Sequence, residues 1–320
     1  MLRINIKDLK SFISIGEKLA QDLLKVLDEI KRTSQITIYP KNSPPQNIPF
    51  NVDAKNYLVA KYGSIYKMRE LILAHPSKHK QIINDVDTYI KTHKPPGLNV
   101  NEFKTHLQHF FISNGFDKLD KHALIDAIGL KTCPYCNRGY IYRISRGQIN
   151  PVLDHFYPKS IYPILGASLY NLIPCCHACN GFGAKGKKDV MKSNPNYQIY
   201  SPYLIKHDTL RFNYKLKSPE YYTGKGVEVL IEDTDSSTAN AYEHVFKLKS
   251  LYKHHADIVG EILYRKKYLY TDSMLESLEK IVGRTLSTRD IEIFIVGNYI
   301  TEENYHKRPL AKLSAEIIKR

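Results

Sequence analysis

Five cysteines, Cys133, Cys136, Cys175, Cys176 and Cys179, fall within a window of 47 residues, and the rest of the 320-residue chain has none. Four of them make two Cys-x-x-Cys pairs, Cys133-Pro-Tyr-Cys136 and Cys176-His-Ala-Cys179. One such turn brings two thiolates to an ion at ~2.3 Å, and two turns complete a tetrahedral four-sulfur site. Zinc suits that site because it needs no redox partner and its binding energy folds a small segment; a four-sulfur iron centre is the alternative. Cys175 lacks the two-residue spacing and reads as a core thiol. His177 follows a ligand directly, so it points away from the ion and reads as exposed or phosphate-facing. Between the pairs stand Asp154-His155 and Asn171, and Asn180 follows the last cysteine. A near-neutral imidazole suits a base that activates water. A carboxylate and an amide oxygen suit Mg²⁺, which also takes phosphate oxygens. Phosphodiester hydrolysis needs both parts.

The charge distribution points to the same window. The chain carries 47 Lys+Arg against 32 Asp+Glu, a net +15, with a pI near 9.3. Residues 131–200 hold nine basic and two acidic residues, so +7 of the excess sits in 70 residues. Such a patch is the footprint of a polyanion partner, and nucleic acid is the expected one. Arg138, Arg143, Lys159 and Lys185 are the candidate phosphate contacts. The run Gly181-Phe-Gly-Ala-Lys-Gly-Lys-Lys188 approaches a nucleotide-binding loop but has Lys188 where Ser or Thr must hold Mg²⁺. His106 and His109 share a helical face, and His254-His255 sit beside Lys253; all read as ordinary core or surface histidines. No apolar run approaches the ~18 residues of a membrane span, and charges interrupt the N-terminal segment where a signal peptide is apolar. A cytoplasmic protein is expected.

In order and wording, these segments resemble the HNH endonucleases of the ββα-metal type, in their zinc-stapled branch. The matching residues are Cys133-x-x-Cys136, Leu153-Asp154-His155-Phe156-Tyr157-Pro158-Lys159-Ser160, Asn171-Leu172-Ile173-Pro174, Cys176-x-x-Cys179-Asn180 and Lys185-Gly186, about a fifth of the chain. The resemblance implies a β-hairpin, a loop and a helix that enclose a divalent metal. It implies His155 as general base, Mg²⁺ or Mn²⁺ on Asp154 and Asn180, and Asn171 as the residue that fixes the loop and orients the histidine. It further implies structural zinc on Cys133, Cys136, Cys176 and Cys179, and cleavage of DNA, or RNA, to 5′-phosphate and 3′-hydroxyl ends. The loop after Asp-His lacks the Gly-Gly pair frequent in the family. The Asp-His-Phe-Tyr-Pro-Lys-Ser wording looks like a bacterial subgroup that includes nuclease subunits of anti-phage defence systems, which implies an antiviral role and a protein partner such as an ATPase. The alternative is a non-catalytic, zinc-stapled nucleic-acid-binding or adaptor subunit.

Positioning these residues falls to an α+β, mainly helical chain in three regions. Residues 1–130 read as helical, with a long amphipathic helix over 15–30, a Pro-rich loop at 39–49, helices near 54–74, 78–92, 100–113 and 118–128, and an interruption at Pro95-Pro96-Gly97. Residues 131–200 form the metal-binding module, with a predicted hairpin of 139–144 against 148–153 across Ser145-Arg146-Gly147 and a helix opening near Cys176. Residues 201–320 give strands near 209–216 and 227–232, then helices near 237–271, 273–283, 288–299 and 308–319.

Overall fold

A computed structural model describes residues 1–40, 42–93, 97–144, 151–181, 183–191, 195–233 and 237–320. Helix α1 (Leu9–Thr33) buries Phe12, Gly16, Leu19, Leu23, Leu27 and Ile30, the three-and-four spacing of one helical face. The Asp8 side chain accepts from the Ser11 amide at its start, and Ser34 in the left-handed region ends it. That buried face meets α3 (Ile65–Ile72) so closely that a Cβ on Gly16 would overlap the Leu73 side chain. The expected helix over 54–74 is two, α2 (Val52–Tyr62) and α3, because Gly63 stops the first and the Ser64 side chain caps the second. α4 (His79–His93), α5 (Val100–Gln108) and α6 (Lys121–Ile128) complete the N-terminal helices. Helix α5 passes at His109–Ser113 into a π-helical turn, which helical periodicity alone did not suggest. The segment expected as a loop at 39–49 contains a strand: β2 (Gln46–Pro49) pairs antiparallel with β1 (Gln35–Ile38). Its prolines sit at the end of a two-stranded ribbon, where a missing donor costs little.

In the middle region, β3 (Val152–His155) pairs antiparallel with β4 (Leu172–Cys175), and the one-turn helix α7 (His177–Asn180) follows. This corrects the predicted hairpin. Residues 139–144 form no strand beyond an isolated bridge of Tyr140 to Thr132, and 145–150 lie outside the described residues. The partner of β3 is instead the Asn-Leu-Ile-Pro segment, whose Pro174 masks it as a strand in sequence.

Further on, β5 (Leu210–Leu216) and β6 (Val227–Asp233) pair in the expected places. The helix expected over 237–271 is broken into α8 (Thr238–Phe246), α9 (Leu248–Tyr252) and α10 (Ala256–Tyr264), with Lys247 in the left-handed region at the first break. α11 (Asp272–Val282), α12 (Thr288–Val296) and α13 (Ala311–Ile318) follow. Among the described residues, no helix is long and apolar enough to cross a membrane.

Both ends of the described chain dock on the first cysteine turn. The Leu2 amide donates to Pro134 O (2.9 Å), and the Leu310 amide to Asn137 O (2.7 Å). Tyr252 donates its hydroxyl to Cys136 O. Asn137 is fully buried at φ +49°, and its amide group donates to Thr132 Oγ1 (2.9 Å) and Tyr305 O (3.0 Å) while accepting from the Lys312 amide (3.1 Å). Only Asn or Gly visits that backbone region cheaply, and only Asn supplies the bonds. Replacing Asn137 with Ala is therefore expected to cost about 3–5 kcal/mol of folding stability, measured by urea unfolding, with Asn137→Gly recovering the backbone part alone.

His79, also buried, has Nε2 at 3.0 Å from Ala74 O, and burial pushes its pKa down from 6.5 to about 4. The unfolded chain takes up that proton first, so the contribution is whole above pH 6.5 and is lost as the pH falls toward 4. The difference amounts to roughly 3 kcal/mol. Urea midpoints between pH 7.5 and 4.5 are expected to fall less steeply in His79→Gln than in the parent.

Candidate functional site

The thiols of Cys133, Cys136, Cys176 and Cys179 converge, with their sulfurs all within 4.8 Å of one another. A tetrahedral ion at ~2.3 Å from each sulfur requires edges of about 3.8 Å, and Cys136 and Cys176 are 3.9 Å apart. The set can hold one metal ion such as zinc. Burial pushes the Cys133 thiol up, while hydrogen bonds from neighbouring thiols hold Cys176 well below its usual range. Cys175 is buried outside the cluster, and His177 is exposed.

One side chain inside the first cysteine turn and one just beyond the second meet the same carboxylate. Tyr135, between Cys133 and Cys136, donates its hydroxyl to Asp154 Oδ2 (2.6 Å). Lys185, whose amide is bonded to Cys179 O, places Nζ 3.0 Å from Asp154 Oδ1 and 2.8 Å from His155 O. Lys185 and Asp154 are both buried, at 0% and 3% side-chain exposure, so this ion pair is shielded from solvent. Burial beside the carboxylate pushes the Tyr135 phenol well up and keeps it a donor. The sequence reading put Lys185 on phosphate; its ammonium is instead spent inside the protein.

Alternation along β3 sends His155 away from the Asp154 partners. His155 Nε2 lies 2.9 Å from Gly166 O, and the ring packs edge-on to Phe116 at 4.5 Å. A carbonyl only accepts, so Nε2 carries the proton and Nδ1 the lone pair. Burial, then the charges of Lys159 and Lys185, hold its pKa down to about 3. Asn171 is buried behind it. Its side chain accepts from the Tyr157 amide (2.8 Å) and donates to Tyr157 O (3.1 Å) and Leu165 O (3.0 Å), spanning the loop that ends at Gly166.

Asp154, His155, Lys159, Asn180 and Lys185 all border one cleft of about 1020 Å³. The Asn180 side-chain amide has no hydrogen-bond partner among the described residues. Both Asp154 oxygens are engaged, one by Lys185 and one by Tyr135, each with a lone pair to spare, so a hard cation here would share the carboxylate with an ammonium. Lys159 is half-buried with Nζ 4.9 Å from the Phe116 ring centre, and burial lowers its pKa. Arg138 and Arg143 do not border this cleft: Arg138 Nε donates to His255 Nε2 (2.8 Å), and Arg143 pairs with Asp126.

Sequence reasoning missed the other wall, made by Gln108, His109, Ile112, Ser113 and Phe116. No spacing signal ties these residues to β3, since they meet it only through tertiary packing. Tyr135 was within reach, because the middle of the first Cys-x-x-Cys turn had to face something. No family model, no curated protein and no solved structure matches the chain.

The buried trio makes a quantitative expectation. Lys185→Met strands a charged carboxylate and is expected to cost about 3–5 kcal/mol in denaturant unfolding. Tyr135→Phe is expected to cost about 1–3 kcal/mol, and the double variant to depart from the sum because both act on Asp154.

Proposed function

We propose that this chain is a metal-dependent HNH endonuclease that hydrolyses phosphodiesters in nucleic acid, with DNA the preferred substrate. The observation that carries the reading is that Asp154, His155 and Asn180, distant in sequence, border one cleft with Lys159 at its edge. His155 enters as a neutral imidazole whose Nε2–H is held by Gly166 O, and Nδ1 is its basic nitrogen. It takes a proton from water as the water oxygen attacks phosphorus; the P–O3′ bond breaks, and the 3′ oxygen leaves as a hydroxyl after protonation from solvent. Asp154 and Asn180 would hold Mg²⁺ or Mn²⁺, which supplies positive charge near the phosphate and the leaving oxygen when bound. Lys159 draws the polyanion to the cleft, and the partly apolar walls limit water. Cys133, Cys136, Cys176 and Cys179 would hold a structural zinc, which would fix the first turn and the segment after the second against Asp154.

The second reading is a zinc-stapled nucleic-acid-binding subunit without its own hydrolytic step. The Asp154–Lys185 pair favours it, since a neutralised carboxylate is a poorer ligand for a divalent ion. One experiment separates the two. His155→Ala is expected to keep its zinc, its fold and its affinity for oligonucleotides while losing plasmid nicking in Mg²⁺ or Mn²⁺ by at least ~10³-fold. Nicking at the parental rate by that variant rejects the nuclease reading.

A further inference from the structure

The wall facing β3 carries a second imidazole in the same cleft. Helix α5 gives way at His109 to a π-helical turn, a rare irregularity that recurs at functional sites because it re-aims side chains. The turn is held from outside the helix. The Asn114 amide and Nδ2 both donate to His109 O, at 3.2 and 3.0 Å, and Nδ2 reaches Thr37 O on β1 at 3.0 Å. Gln108, one residue earlier, donates to Ser160 O in the loop beyond β3 (3.4 Å), which ties this wall to the loop that carries Lys159.

The histidines nearby have different duties. His79 is buried on Ala74 O, and His106 is buried edge-on to Phe50 at 5.1 Å. His109 is half-buried and borders the cleft, and its ring has no hydrogen-bond partner among the described residues. Of the cleft lysines, Lys185 is spent on Asp154, and Lys188 donates to His244 O and Val245 O. Lys159 and Lys187 also border the cleft as mobile charges, whereas the His109 ring is fixed edge-on against His106 at 5.7 Å and keeps its nitrogens free of hydrogen bonds among the described residues.

Resting on the nuclease reading and deepening it, we propose that His109 is a catalytic residue that donates a ring N–H to a non-bridging oxygen of the phosphate under attack. A neutral imidazole offers one N–H and adds no fixed charge, so it orients the phosphate without competing with a divalent ion for it.

The test uses the full chain with zinc, supercoiled plasmid and labelled oligonucleotides in Mg²⁺ or Mn²⁺. His109→Ala is expected to lower kcat about 10²-fold with KM changed less than about threefold, as for removal of one oxyanion donor. His109→Gln, which keeps an N–H donor, is expected to recover about tenfold of that loss. Zinc content and melting temperature are expected to stay at the parental values in both. A kcat for His109→Ala within twofold of the parent overturns the proposal. Cleavage that survives His155→Ala at the parental rate removes the nuclease reading and the His109 role with it, whereas loss in His155→Ala beside a parental kcat in His109→Ala overturns the His109 role alone. If the parent cuts none of these substrates, the nuclease reading fails and the His109 role, which rests on it, is overturned with it.

Discussion

Asp154 is a buried carboxylate held by Tyr135, inside the first cysteine turn, and by Lys185, just beyond the second. An isolated carboxylate in that position would be prohibitive, so the two partners must be in place whenever the chain is folded. They are in place because Tyr135 stands inside the first Cys-x-x-Cys turn and Lys185 is bonded through its amide to Cys179 in the second. The four thiols that bring the turns together therefore also assemble the cleft. Lys185 extends the same link to His155 O, so the orientation of β3 follows from sulfur geometry on both sides.

Around this centre the helical regions serve as supports. Asn137, buried in the left-handed region just after Cys136, joins the first turn to Tyr305 and Lys312, and Leu2 is bonded to Pro134. Residues from both ends of the described chain thus bear on the first knuckle. The N-terminal helices have the further duty of closing the cleft: the π-helical turn at His109–Ser113 and Phe116 form the wall against which the His155 ring rests.

Much of the site could be read from residue types and spacing, because metal chemistry imposes both. The two Cys-x-x-Cys turns predicted a four-sulfur cluster and their thiols converge, while the carboxylate beside the imidazole and the asparagine after the last cysteine border one cleft. The long helix α1 was equally legible from its apolar stripe. The strand pairing was not. Local turn chemistry at Ser145-Arg146-Gly147 suggested a short hairpin, whereas β3 pairs with a segment whose Pro174 argues against a strand except in a two-stranded ribbon. The fate of Lys185 was hidden for a different reason. A lysine in a glycine-rich, acid-poor stretch looks like a phosphate contact, and only the fold shows that its one anionic partner lies buried 31 residues earlier.

The dependence of the cleft on the thiol cluster is most directly tested by hydrogen–deuterium exchange, read by mass spectrometry, on the full chain with zinc supplied and with zinc withheld by a chelator. The account predicts that residues 152–155 and 183–188 lose protection together with both cysteine turns, while the middle of α1 stays protected. Unchanged protection of 152–155 in metal-free protein would contradict it.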